Sequence, residues 1–329
     1  MQGLLRMLAA ACVVVGAVAS ASPAGAQDTV KIGLVMAYTG QFADVAAQMD
    51  NAIKLYVKQH GDTVAGKKLV FVRKDTGGPD AAVAQRLARE LVTRDGVDIL
   101  AGFTLTPEAL GAASVSAEAK KFMVVMNAAT SIIVTKSPYI ARTSLTIPQL
   151  QQVFGTWAYQ KSGIRKIYSM VSDYGPGHDA ETAFQRGFKQ AGGEIIGSVR
   201  FPVANPDFSA FVQAAKDAKP EAIFIWLPGG AQPAAIAKAL TARGIDPKKT
   251  KILGQGEITE DEARASMGDA GLGIITVYHY DHDHPSAANK AFVAAYNADY
   301  KRNPNVYSVG GWDGMHLIYE TLKKTGGKT

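Results

Sequence analysis

The chain has 329 residues, 47% of them hydrophobic, which supplies apolar material for two hydrophobic cores rather than one. Its 35 basic and 29 acidic residues leave a net charge of +6, but the lysines are dispersed in pairs such as Lys67-Lys68, Lys248-Lys249 and Lys323-Lys324; this excludes a nucleic-acid-binding arm and leaves the charge to solubility. The only cysteine is Cys12, so beyond the N-terminal segment there is no disulfide, thiolate zinc site or cysteine nucleophile.

In chain order, Met1–Arg6 carries positive charge, Met7–Ala19 is almost wholly apolar, and Ala24-Gly25-Ala26 offers the small residues of a cleavage site. The pattern is that of an export signal over residues 1–26. Its apolar run is shorter than the roughly 20 residues needed to cross a bilayer. Cys12 does not read as a lipid-anchoring cysteine, because the apolar core continues through Val13, Val14 and Val15.

From Val30 onward short β-rich apolar runs alternate with helical patterns. The runs are Val30–Met36, Leu69–Arg73, Val97–Ala101, Phe122–Met126, Lys166–Ser172, Glu194–Phe201, Ala222–Leu227, Lys251–Gly254 and Gly273–Tyr280. Between them apolar residues recur three and four apart, as in Val45, Met49, Ile53 and Val57, or Val83, Leu87 and Leu91. Pro79 and Pro107 stand at helix starts, and Gly61, Gly96, Gly163, Gly192 and Gly244 stand just past helix ends. Repeated strand-then-helix order predicts an α/β fold with parallel sheets covered on both faces, and the number of units exceeds one doubly wound sheet, so two such lobes are expected.

The stretch VSDYGPGHDA, Val171–Ala180, matches a relaxed Gly-x-Gly-x-x-Ala dinucleotide fingerprint at a strand-to-helix turn. Pro176 removes an amide that a pyrophosphate would use, and the next strand closes on Phe201-Pro202 without an acid. The glycines therefore read as shaping a turn, and no cofactor is expected. Nor is there a Gly-x-Ser-x-Gly elbow, a Walker loop or a Gly-rich turn after the first strand, where Met36-Ala37-Tyr38-Thr39-Gly40 stands, so no catalytic residue is assigned.

VKIGLVMAYTGQFA, GVDILAGFTLTPEAL, FMVVMNAATS, SDYGPG and ILGQGE, in this order and spacing, resemble an extracytoplasmic substrate-binding protein of an ABC importer, of the leucine/isoleucine/valine-binding type with the type I periplasmic binding fold. The resemblance covers Val30 to the last residue. It implies two lobes joined by a multi-strand hinge, the first at Asp28–Arg142 plus Asp281–Thr329 and the second at Thr143–Tyr280. Members run on past this length with a segment returning to the second lobe; here that segment is either absent or cut off, and its absence would cost the second lobe an edge strand. The implied setting is the periplasm, with a small carboxylate ligand, permease and ATPase subunits as partners, no nucleic acid, and a monomeric binding protein.

The same resemblance supplies the candidate site. Ala129 and Thr130, in Asn127-Ala128-Ala129-Thr130-Ser131, match the carboxylate loop, and Thr104 and Thr106 fall at the family's hydroxyl-rich turn, with Phe103 intruding; a helix cap at Thr106 is the structural alternative. Tyr174 falls on the tyrosine at the second-lobe rim. Phe42 occupies the apolar wall position of the first loop, with Trp226 and Tyr278 as further aromatic candidates or simple core residues. Glu257 sits one place later than the family's amine-binding acid, and capping of the following ITEDEAR helix is its alternative. The aromatic set points to a flat apolar or aromatic carboxylate, with a branched-chain amino acid as the alternative ligand and a sensing receptor of the same fold as the alternative role. His and Asp in Tyr278–His284 are dense enough to bind zinc or copper, but the stretch coincides with a lobe crossover ahead of Pro285 and reads as solvated chain, so no metal site is assigned.

Overall fold

The computed structural model describes residues 28–329; the segment expected to be an export signal, with Cys12, lies outside the described residues. The first sheet is built from β1 (Thr29–Met36), β2 (Thr63–Val64), β3 (Lys67–Asp75), β4 (Ile99–Gly102), β5 (Phe122–Val125) and β6 (Ile140–Arg142), in the order β2-β3-β1-β4-β5-β6. All neighbours are parallel except β2 with β3. The connecting helices are α1 (Ala43–His60), α2 (Ala81–Thr93) and α3 (Thr106–Ala119).

Alternation along β1 decides which face each helix covers. Ile32, Leu34 and Met36 share one core with Met49, Ile53 and Tyr56 of α1. Val35 faces the opposite way, into a core with Ala84, Leu91 and Ala112. Gly33 lies under α2, where a Cβ would come within 2.8 Å of Leu91 Cδ1.

After β6 the chain passes to α4 (Ile147–Gln160) and the second sheet: β7 (Lys166–Ser172), β8 (Glu194–Phe201), β9 (Ala222–Trp226), β10 (Lys251–Gln255) and β11 (Ile274–Val277), in the parallel order β11-β10-β9-β7-β8. Its helices include α5 (Gly175–Gln190), α6 (Ser209–Asp217), α7 (Gln232–Ala242) and the short α8 (Asp261–Met267). Phe154, Phe184, Phe188 and Phe224 fill one face, with Phe184 stacked on Phe224 at 3.9 Å between ring centroids. Burial of each such ring contributes about 1.5–3 kcal/mol. Helices α4 and α5 approach closely because Gly155 and Gly187 lie against each other's backbone; a Cβ on either would run into Phe184 O or Gln152 O.

The last helices, α9 (Ala287–Tyr300) and α10 (Val306–Thr325), return to the first sheet. Met315, Ile318, Tyr319 and Leu322 of α10 join the β1 core, and Phe292 and Tyr296 of α9 pack on Ala52 and Leu55 of α1. The final predicted strand is shorter than its apolar pattern, since the sheet pairing ends at Val277 and Tyr278–Tyr280 leave it. The carboxyl ends of β1, β4 and β5 thus face those of β7, β9 and β10.

Candidate functional site

At this junction a narrow cavity is lined from both halves. The first half supplies Phe42, Val45, the turn Thr104-Leu105-Thr106, and Asn127, Ala128 and Ala129; the second supplies Ile147, Tyr174, Pro176, Trp226, Pro228, Gly229 and Glu257; Tyr307 comes from α10.

The first-half loops are held by hydrogen bonds within the site. Ala37 N donates to Thr104 Oγ1 at 3.0 Å, and Asn127 Nδ2 donates to the Thr104 carbonyl at 2.7 Å. Thr106 and Thr130 share a hydroxyl–hydroxyl bond of 2.7 Å. Arg142 braces the second loop from behind, Nη1 donating to the Thr130 carbonyl at 2.7 Å and Nη2 to Thr146 Oγ1 at 2.9 Å. Beneath the threonine turn lies Glu108, fully buried. Its carboxylate accepts from Thr76 Oγ1 at 2.6 Å and from Leu105 N at 3.0 Å. Burial pushes it up to about 7 although both hydrogen bonds pull the other way.

The second-half wall is aromatic, with a polar relay behind it. Tyr174 and Trp226 lie 5.8 Å apart between centroids, tilted by 48°. Trp226 Nε1 and Gln151 Nε2 both donate to Gln255 Oε1, at 2.7 and 2.9 Å, and Gln255 Nε2 in turn donates to Glu257 Oε1 at 2.8 Å. This relay holds the Glu257 carboxyl in a fixed orientation through Oε1. Its other oxygen, Oε2, is buried without a hydrogen-bond partner. Burial raises Glu257 to about 7, against the pull of its hydrogen bonds.

Of the residues singled out in the sequence, Phe42, Thr104, Thr106, Ala129, Tyr174, Trp226 and Glu257 line this cavity together. Thr130 lies immediately behind, through its bond to Thr106. Phe103 turns away: its backbone is left-handed at φ 68°, and its ring is buried in the core between the sheet and α2 and α3. Tyr278 also lies outside the lining, its ring packed over Gly256 and facing a separate polar cavity. Glu257 does not cap the helix after it, because α8 begins at Asp261 behind Glu260 and Glu257 sits in a 3-10 turn over Gly256–Thr259. Asp281, His282 and Asp283 bring one ligand atom each within 4.8 Å of one another on the far side of Tyr278, as consecutive residues of a largely exposed turn.

The sequence reading missed Val45, Ile147, Pro228, Gly229 and Tyr307. Tyr307 is the most consequential, because it arrives from the end of the chain. Its only local signal is Asn305, whose Oδ1 accepts from Tyr307 N and Ser308 N and so marks a helix start at the cavity.

Gly177 lets α5 begin against the end of β7, where a Cβ would strike Ser172 O. Gly175 lets the same helix end approach the first half, since a Cβ would sit 3.0 Å from Thr130 Oγ1.

The sequence model for periplasmic binding proteins matches residues 29–329. The chain belongs to that family. Among the relatives of this periplasmic binding protein, a Leu/Ile/Val-binding protein homolog of Brucella melitensis is 38% identical over 311 residues, covering 94% of this chain and 79% of the relative. The solved solute-binding protein of an ABC transporter from Rhodopseudomonas palustris BisB5, in complex with 3,4-dihydroxybenzoic acid, is 48% identical with a TM-score of 0.87 over 92% of this chain and 82% of that one. A second, from R. palustris HaA2 with p-hydroxybenzoic acid, is 38% identical, again with a TM-score of 0.87 over 92% and 82% of the two chains. The fold is therefore that of the solute-binding proteins of ABC transporters, with two parallel-sheet α/β lobes.

Proposed function

We propose that this protein captures a small aromatic carboxylate between its two halves and delivers it to the permease of an ABC importer. The observation carrying the reading is the composition of the cavity: hydroxyls and a helix start at Thr104–Thr106 on one side, and the rings of Phe42, Tyr174, Trp226 and Tyr307 around the remainder. A helix N-terminus and hydroxyl donors suit a carboxylate, and flat walls suit a ring. The ligands of the two solved relatives have this chemistry. Closure would bend the chain at its crossings between the sheets, between Arg142 and Ile147 and between Val277 and Ala287, and the closed surface is what the permease reads. The setting is extracytoplasmic, as for its family.

A branched-chain amino acid is the second reading, favoured by the unpartnered Glu257 oxygen, which could face an ammonium group. A thermal-shift panel of benzoate, 4-hydroxybenzoate, 3,4-dihydroxybenzoate and leucine separates the two. A ligand at 100 times its Kd adds about 2.7 kcal/mol to the bound form. Shifts from one or more aromatic acids and none from leucine are expected; a shift from leucine alone overturns the aromatic reading.

A further inference from the structure

A second, smaller cavity lies beside the first and shares with it a wall made of Gly229, Glu257 and Tyr307. Its remaining lining includes Gln48 of α1 and Glu260. Three oxygens around this wall are buried without a hydrogen-bond partner: Glu257 Oε2, Tyr307 OH and Gln48 Oε1. Buried polar atoms are rarely left so, since each costs about 1–3 kcal/mol. Two of the three, the carboxyl oxygen and the amide oxygen, are natural acceptors.

None of these side chains is free to turn and satisfy itself. Glu257 is held through Oε1 by Gln255, and Gln48 Nε2 is committed to Asp44 Oδ2 at 2.6 Å. Gly229 is what makes room for the Tyr307 hydroxyl, since a Cβ there would collide with it. The sequence has therefore cleared space for a phenol oxygen on the same wall as a held carboxyl, at the edge of a cavity lined by rings. The wall presents two acceptors and, in the Tyr307 phenol, a group that can donate as well as accept, and the unpartnered Tyr278 hydroxyl also lies within reach of the Glu257 carboxyl.

Building on the aromatic-carboxylate reading, we infer that the Gly229–Glu257–Tyr307 wall is a specificity subsite for a hydroxyl on the ligand's ring, which donates to Glu257 Oε2 and pairs with the Tyr307 hydroxyl. Tyr307 stays a neutral hydroxyl there, since burial holds its phenol well above the usual value. An unsubstituted ring offers these oxygens no partner, and a site built around a hydroxyl discriminates against the analogue lacking it.

The test is calorimetric titration of benzoate, 3-hydroxybenzoate and 4-hydroxybenzoate into wild type, Glu257→Leu and Tyr307→Phe. Wild type is expected to bind one hydroxylated acid about tenfold or more tighter than benzoate. That ratio should fall to within about threefold of unity in Glu257→Leu and at least about threefold in Tyr307→Phe. A wild-type ratio near one, or a ratio unchanged in Glu257→Leu, overturns the inference. If Glu257→Leu does not fold, Tyr307→Phe decides by the same threefold criterion. Tight benzoate binding without preference would sink this subsite alone, whereas binding of leucine and no aromatic acid would sink the function on which it rests.

Discussion

The Thr106–Thr130 pair is the part of the cavity where one atom most affects the anionic end of a ligand. In a hydroxyl–hydroxyl bond one partner donates, and the other keeps its proton for a third group. At 2.7 Å in a buried setting, the pair fixes both rotors, so a carboxylate arriving at the threonine turn meets donors already oriented. Thr130→Ala removes one hydroxyl and leaves Thr106 Oγ1 to reorient. It is expected to weaken an aromatic acid by about 1–2 kcal/mol, roughly five- to thirtyfold, while costing about 1 kcal/mol or less of folding stability. Titration calorimetry beside a urea melt reads both quantities. Unchanged affinity would remove the pair from ligand binding and leave it a purely structural contact between the Thr106 and Thr130 loops.

Helix α5 shows how an element is placed by what its glycines omit. Gly177 faces the backbone of its own half, at Ser172 O, whereas Gly175 faces the side chain of Thr130 across the cleft. The same substitution should therefore act on different equilibria. Gly177→Ala forces a Cβ against a carbonyl that cannot yield, and it is expected to destabilise the fold by about 1–3 kcal/mol. Gly175→Ala meets a side chain present only when the halves are together; affinity should fall several-fold with little change in the ligand-free melting temperature. A melting temperature equally lowered in both variants would mean that the halves stay together without ligand. Such cross-cleft approaches mark the limit of what was legible in the sequence. The run Lys166–Ser172 coincides with β7 because a buried parallel strand is written as a near-continuous apolar segment, whereas Glu194–Phe201 coincides with β8, a partly exposed edge strand, through Ile195, Ile196, Val199 and Phe201. The two-residue β2 and three-residue β6 carry too few side chains to leave a pattern. Phe103 was expected in the site because it intrudes at the turn of Thr104 and Thr106; its positive φ, which the sequence does not announce, accompanies a ring turned into the core. Tyr307 was hidden for the opposite reason: nothing local distinguishes a cavity tyrosine from any other at a helix start.

At the scale of the whole molecule, three carboxyls are carried into places where their charge is poorly solvated. Glu108 lies under the threonine turn, Glu257 in the cavity wall, and Glu260 beside the smaller cavity. Burial raises Glu108 and Glu257 from 4.5 to about 7, and raises Glu260 to about 8 with a further push from the Glu257 charge. The sign of the consequence follows from proton counting. Between pH 4.5 and 7 the unfolded chain has released these protons and the native state still holds them, so stability falls as pH rises through that window. Groups shifted the other way act at lower pH: the Asp75 carboxyl is held below its usual value by Thr39 and by the amides of Gly77, Thr39 and Tyr38, despite partial desolvation, and its contribution is lost as the solution becomes more acid. With its halves together the protein should therefore be most stable near pH 5 and lose stability toward pH 8, Glu108 and Glu257 accounting for at most about 3 kcal/mol each. Urea melts across that range measure it. Glu108→Gln keeps an oxygen acceptor and cannot ionise, so it should flatten the slope between pH 5 and 8; a wild-type curve that rises toward pH 8, or a variant with the same slope, would show that these carboxyls are ionised in the native state and that the interior solvates them better than their burial implies.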